Sequence, residues 1–291
     1  VKRLILNADD FGLTQGVNQA IVELNLQGAL TSATLMAKAA ATAQACQLAL
    51  ITPTLGVGCH VVLVDGESVL EPRKDLVWLV DPVRTVGRFE PTLGKFLNLL
   101  YPLRKWPFIH HRKLVADEIE AEAHAQITSL QARGIHLTHI DTHKHSHMFP
   151  RVLRPVLRAA KAAGITTIRN PYEPAWSVSA TPRAPALRRL QVKLLRSLAS
   201  TFRRIVAEEG FRTTDGAIGV LATGTLDART LNSLLAAMPN GTWELVTHPA
   251  YNDSALANAG TRLLASREIE RQALLNAQFP PDIERIHFGD L

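Results

Sequence analysis

Cysteine is scarce: Cys46 and Cys59 are the only two in 291 residues. They make no disulfide framework and suit a reducing compartment. Apolar residues never run without interruption for long enough to span a bilayer. The chain also lacks internal repeats, low-complexity tracts and a glycine-rich phosphate loop, which sets aside solenoids and P-loop nucleotide enzymes. Val1-Lys2-Arg3 leads straight into the strand-like Leu4-Ile5-Leu6, so no signal peptide is expected at this start and the expected location is cytoplasmic. Charged residues make up only 20 % of the chain beside 46 % hydrophobic ones, a balance that excludes disordered and fibrous classes. The net charge of +6 admits nucleic acid, anionic lipid or an acidic substrate, so its placement decides more than its size.

Histidine, by contrast, is concentrated. Five of the eleven histidines lie between His136 and His147. The stretch His139-Ile140-Asp141-Thr142-His143-Lys144-His145-Ser146-His147 follows a strand-like entry after Gly134. If the strand continues, Asp141, His143, His145 and His147 all project from one face. Imidazoles on one face with an Asp among them suit a divalent cation, the Asp orienting a ring or ligating. A merely solvated strand end would not favour a face made wholly of Asp and His.

The rest of the chain alternates strand and helix patterns. Leu4-Ile5-Leu6-Asn7-Ala8 reads as a buried parallel strand delivering Asp9 and Asp10 to a rim, with Gly12 closing it. The two carboxylates point apart if the strand continues and converge if the chain turns. One of them can hold a metal while the other stays free as a base. A helix is predicted over 14–27, a strand over 31–36, a helix over 39–51, and a strand over 55–63 that carries His60. Cys59, of opposite parity, belongs in the core. Further helices are predicted over 113–132, 150–163, 227–237 and 266–278. Strands are predicted over 166–169, 217–220, 243–249 and 283–286. Asp9, Asp10, His60, His143, Arg169 and His248 all fall at C-terminal strand ends. This predicts an α/β fold, a distorted (β/α) barrel of seven or eight strands resembling a TIM barrel, with its site on that rim.

Two interruptions, about 65–113 and 170–212, break the rhythm over that rim. The first is punctuated by proline and rich in aromatics, and Phe96 to Phe108 suits a lid over an apolar group. The second carries seven basic residues and no acidic one from Arg183 to Arg204. On a helical wheel Arg189, Lys193, Arg196, Arg203 and Arg204 share one side. Leu187, Leu190, Leu194, Leu198, Phe202 and Ile205 share the other. The pattern fits a helix resting on an anionic membrane interface, and equally a surface helix with a basic outer face.

Four motifs together resemble the YdjC/ChbG family of carbohydrate deacetylases. They are Asn7-Ala8-Asp9-Asp10-Phe11-Gly12, Gly58-Cys59-His60, Thr138 to His143 through His147-Met148-Phe149-Pro150, and Thr247-His248-Pro249-Ala250. Arg267-Glu268-Ile269-Glu270 is similar to that family's C-terminal helix. Within the family the chain resembles the hopanoid-biosynthesis-associated branch, HpnK. The resemblance implies a single deacetylase domain over 1–291 and metal-dependent removal of an acetyl group from an N-acetylated sugar. It also implies metal ligands at Asp10, His60 and His143, a base at Asp9 and a catalytic histidine at His248. Arg169, Asp141, His145 and His147 are expected to support the site or bind substrate, Arg169 by holding Asp9 ionised. Mixed N/O ligation suits zinc and admits magnesium, manganese or cobalt.

The branch points to an N-acetylglucosaminyl-hopanoid as substrate, met at the inner face of the cytoplasmic membrane. The alternatives are a deacetylase of soluble sugars such as chitooligosaccharides and a non-catalytic lipid-binding barrel. The last gives the Asp and His residues on four strands no role. A metal-dependent isomerase or phosphoesterase on the same barrel is a further rival, and a phosphoesterase calls for more rim cations than Arg169. A homo-oligomer is compatible with the sequence, and no nucleic-acid partner is expected.

Overall fold

The computed structural model describes residues 1–71, 74–76, 78–80, 88–90, 92–100, 108–182 and 184–291. It is an α/β fold built on a curled, open parallel sheet. The strands are β1 (Lys2–Phe11), β2 (Ser32–Leu35), β3 (Gly56–Val61), β4 (Leu137–Thr142), β5 (Gly216–Ile218), β6 (Gly241–Thr247) and β7 (Ile283–Ile286). Their order is β4-β3-β2-β1-β6-β5, with β7 beside the first half of β1. From Leu4 to Phe11 every residue of β1 is buried, as a central parallel strand covered on both faces requires.

The helices in chain order are α1 (Gln15–Leu26), α2 (Thr42–Leu50), α3 (Leu93–Leu100), α4 (Phe108–Gln131), α5 (Pro150–Ala162), α6 (Ala175–Ala180), α7 (Ala186–Leu195), α8 (Ala199–Glu208), α9 (Ala228–Ala237), α10 (Ser254–Ala257) and α11 (Ala265–Leu275). Local chemistry sets several of these boundaries. Thr14 caps α1 by accepting from the Val17 N–H at 3.2 Å. Pro150 opens α5, where its missing N–H costs nothing.

The structure departs from the sequence pattern in three places. Residues 166–169, predicted as a strand, make only single bridges, Ile140–Ile168 and Thr167–Arg212. Arg169 N–H still donates to Ile140 O at 3.1 Å, but Pro171 follows at once and the ladder goes no further. Second, the histidine stretch does not continue as a strand. β4 ends at Thr142, and His143–Met148 coils into a tight 3₁₀ turn with Lys144 and His145 in left-handed conformation (φ 55° and 52°). The four residues from Asp141 to His147 therefore do not share one strand face.

The third departure is in the basic segment, which is not one helix. α7 is followed by a 3₁₀ turn (Arg196–Leu198) and then by α8. Arg189 turns inward and donates to the carbonyls of Val178 (2.6 Å), Thr181 (2.6 Å) and Ala184 (3.3 Å), which satisfies the C-terminal end of α6. Leu187, Leu190 and Leu194 are exposed, while Phe202 and Ile205 are buried. The predicted basic and apolar sides are thus each split between core and solvent. In the first insertion Phe96 is buried and cannot cover a ligand, and Tyr101 and Trp106 lie outside the described residues.

Candidate metal centre and its surroundings

Strand ends deliver the site. β1 carries Asp9 and Asp10, and its register with β2 shifts between Ala8 and Phe11. Asp10 adopts φ 65°, a conformation Asp tolerates better than most residues. That kink brings both adjacent carboxylates into the site, where a regular strand would send them to opposite faces. β3 carries His60, two residues after Gly58. A Cβ at Gly58 would collide with the His139 ring, which stacks on Phe288 at 3.7 Å between centroids. His143 follows β4 and His248 follows β6.

Three of these side chains converge. His60 Nε2 lies 3.1 Å from His143 Nδ1, and Asp10 Oδ1 lies 3.6 Å and 3.4 Å from those two nitrogens. A tetrahedral cation with ligands at about 2.0–2.1 Å has ligand-to-ligand edges of roughly 3.3 Å, close to this triangle. Asp10 Oδ1 is buried without a hydrogen-bond partner, a state that costs free energy unless a cation is its partner. The other nitrogen of His60, Nδ1, faces Asp141 Oδ1 at 2.7 Å and Thr34 Oγ1 at 3.1 Å. A carboxylate behind a histidine in this way fixes the ring and raises its basicity. Asp10, His60 and His143 thus form a candidate metal-binding site whose donor set fits a divalent cation.

A second group, Asp9, His60 and Asp141, also has ligand atoms close together. Its cation is already present in the chain. The fully buried Arg169 donates to Asp9 Oδ1 (2.6 Å) and Oδ2 (3.0 Å), to Asp141 Oδ2, and through Nε to Glu244 Oε1 (2.7 Å). A guanidinium among three carboxylates leaves no place for a metal.

Burial pushes the Asp9 carboxyl up, but the charge of Arg169, backed by His60, prevails and holds it well below the usual carboxylate range. Asn7 Nδ2 and Thr34 Oγ1 also donate to Asp9 Oδ1. Oδ2 is therefore the freer oxygen, and His248 Nε2 stands 3.7 Å from it. Burial lowers His248 to about 4 against the pull of Asp9 and Asp10, so its ring is neutral at pH 7. Its backbone N–H donates to Glu270 Oε2 at 2.6 Å.

The remaining predicted residues separate. His145 lines the cavity above the cluster with Nδ1 buried and unpartnered, and burial lowers it to about 3. His147 points away from the cavity, between Thr142 Oγ1 (2.7 Å) and Arg169 O (3.2 Å). It holds the turn together. The cavity measures about 580 Å³ and is lined by Asp9, Asp10, His143, His145 and His248 among others. Among the described residues, all four non-glycines with positive φ, Asp10, Asp65, Lys144 and His145, line it. Backbone strain gathered in this way marks functional surfaces.

Sequence reasoning missed several residues here. Arg267 is buried, donates from Nη2 to Asp10 Oδ2 at 2.5 Å and leaves Nη1 without a partner. Arg88, Lys144, Arg188 and Arg262 also line the cavity, so Arg169 is not the sole cation near the rim. One signal was available for Glu244: a lone acid inside the apolar strand Trp243-Glu244-Leu245-Val246 needs a buried cation. Arg267 and Glu270, three apart on α11, share the face turned to the site.

A family model described as YdjC-like protein matches residues 3–285. The chain belongs to the YdjC-like family. Among relatives of this YdjC-like chain, a carbohydrate deacetylase of Thermoanaerobacter pseudethanolicus is 27 % identical over 94 % of the chain and 91 % of its own length. A carbohydrate deacetylase of Brevibacillus brevis is 38 % identical over 58 % of the chain and 60 % of its own length. A chitooligosaccharide deacetylase of Salmonella schwarzengrund is 37 % identical over 56 % of the chain and 57 % of its own. The two latter matches thus span little more than half of the relatives concerned. A crystal structure of an Enterococcus faecalis protein named for cellobiose-phosphate cleavage superposes with a TM-score of 0.71. It is 22 % identical and covers 99 % of this chain and 98 % of that one, a likeness of fold. None of these similarities separates the hopanoid-associated branch from the rest of the family.

Proposed function

We propose that this chain, as one domain over 1–291, is a metal-dependent hydrolase that removes the acetyl group from an N-acetylglucosaminyl sugar of the chitooligosaccharide type. The observation that carries this reading is the triangle of Asp10 Oδ1, His60 Nε2 and His143 Nδ1 beside a second carboxylate, Asp9, that is clamped out of ligation. The relatives named for carbohydrate and chitooligosaccharide deacetylation support it.

Asp10, His60 and His143 would hold the cation, zinc on this donor set with magnesium, manganese or cobalt as alternatives. A cation there would supply Lewis acidity toward the acetyl carbonyl and lower the pKa of water. Asp9 accepts the proton of the attacking water at Oδ2. His248, neutral at rest, collects that proton across the 3.7 Å gap and delivers it to the leaving nitrogen. The water oxygen bonds the carbonyl carbon first, the C–N bond breaks once the nitrogen is protonated, and acetate and a free amine result. Arg169 keeps Asp9 ionised and out of the metal position. Asp141 steers His60, and Arg267 holds one oxygen of Asp10 while the other faces His60 and His143, where a cation would be held.

A second substrate reading, an N-acetylglucosaminyl-hopanoid met at the cytoplasmic membrane surface, is favoured by one observation: the exposed leucines of α7. Phe96 is buried and adds nothing to this reading, and the rest of the aromatic stretch to Phe108 is not tested by the described residues. Acetate and free amine released in equal amounts from N-acetylglucosamine oligosaccharides by purified, zinc-loaded protein is the expected result. Release from the lipid-linked sugar alone would select the second reading, and release from neither would end the deacetylase reading.

A further inference from the structure

Helix α7 is built the wrong way round for an ordinary surface helix. It has no fully buried residue; Leu195 is half-buried and packs against the core, and polar bonds add to the hold on the protein. Arg188 donates to Thr223 O at 2.8 Å, and Arg189 to the carbonyls at the end of α6. Its other three leucines point outward: Leu187, Leu190 and Leu194 are 68 %, 52 % and 64 % exposed. Their spacing of three and four places them in one stripe along the helix. A helix in water that turns two arginines inward and three of its four leucines outward leaves an apolar face without a partner.

The surroundings of the stripe say what covers it. Lys193 and Arg196, both exposed, flank it. From residue 184 to 207 the chain carries Arg188, Arg189, Lys193, Arg196, Arg203 and Arg204 and no Asp or Glu. A second copy laid on the same face would oppose cation to cation, a repulsive arrangement in a two-fold interface. A bilayer with anionic headgroups complements both features at once, its acyl boundary taking the leucines and its phosphates the flanking cations.

We propose that α7 is a docking surface for an anionic phospholipid bilayer, with Leu187, Leu190 and Leu194 entering the acyl boundary while Lys193 and Arg196 meet headgroup phosphates. Arg188, roughly 100° around the same helix from Leu187, lines the cavity that holds the candidate metal centre. Docking therefore brings that cavity beside the membrane. The docking stands on α7 alone; its consequence, access to an acetylated sugar carried on a lipid, rests on the deacetylase reading.

The test is flotation of the full chain with vesicles of phosphatidylcholine alone and of phosphatidylcholine with phosphatidylglycerol. Wild type floats with the anionic vesicles and much less with the neutral ones. The triple variant Leu187→Ser, Leu190→Ser and Leu194→Ser partitions at least about tenfold more weakly, while its acetate release from a soluble oligosaccharide is unchanged. The pair Lys193→Gln and Arg196→Gln loses the preference for anionic vesicles. Wild type that stays unbound, or a leucine variant that binds as wild type does, overturns the proposal. So does a wild-type dimer in the absence of lipid that the leucine substitutions dissolve, since the face would then belong to a second copy. Vesicle binding without acetate release from any substrate would instead overturn the deacetylase reading and leave the docking surface standing.

Discussion

Arg169 grips both oxygens of Asp9, donating from Nη2 to Oδ1 at 2.6 Å and from Nη1 to Oδ2 at 3.0 Å. The same guanidinium serves Asp141 and Glu244, and all four side chains are buried. Removing the cation strands three buried carboxyl groups. Arg169→Met is expected to lower unfolding free energy by about 3–5 kcal/mol, the cost of breaking a buried ion pair from one side. Urea unfolding at pH 7 measures it, and a loss below about 1 kcal/mol would show that the cluster is not held as charges.

Asp9 is bound by Arg169 and Asp10 is not, so the two neighbouring carboxylates are expected to fail differently. Asp9→Asn should retain metal and lose turnover by about 10²–10⁴-fold, the range for removal of a general base. His60→Ala and His143→Ala should lose both together. Metal content by elemental analysis beside acetate release separates the cases. An Asp9→Asn protein without metal would contradict the proposed division of labour.

Asp141 and Arg267 touch the proposed ligands from behind, through His60 Nδ1 and Asp10 Oδ2. Asp141→Ala and Arg267→Met are each expected to weaken metal affinity or activity by about 10–100-fold without abolishing either, as loss of such partners does elsewhere. Competition against a chelator of known affinity gives the metal affinity directly. Wild-type affinity and wild-type turnover in both variants would mean that these contacts do not orient the ligands.

Much of this site is legible in the sequence, because an apolar strand that ends in Asp or His announces its own rim. Asp9, Asp10, His60, His143 and His248 all stand at or just beyond strand ends. The turn at His143–Met148 was not legible. Its left-handed residues, Lys144 and His145, are not glycines, and the turn is tied by Thr142 Oγ1, which accepts from the His147 N–H. The orientation of α7 was hidden for a related reason. A helical wheel ranks residues by polarity, whereas here the unsatisfied carbonyls of Val178 and Thr181 draw Arg189 inward. Arg267 and Glu270 sit in a helix of ordinary polar composition, and only the fold reveals that their face is buried against the site.

Away from the site, Glu173 offers a test of pH dependence. It is buried and accepts from Ser177 Oγ (2.5 Å), Leu221 N–H (2.5 Å) and Gly219 N–H (3.3 Å). Burial pushes its carboxyl up despite those bonds. A raised folded-state pKa favours the protonated form, so the stabilisation is full below the unfolded value, about 4.3, and is lost as pH rises through the raised one. The Tm of wild type relative to Glu173→Gln should therefore fall over the range above about pH 4. A difference that is flat across that range, or that grows with pH, would contradict the assignment.

The proposed chemistry is tested most directly by titrating metal-free protein with zinc while following bound metal and acetate release from an N-acetylglucosamine oligosaccharide. The account predicts that both rise together from a negligible baseline and level off at about one equivalent per chain, as a single site of three protein ligands requires. Acetate release that is already complete without metal, or that climbs on to a second equivalent, would contradict it.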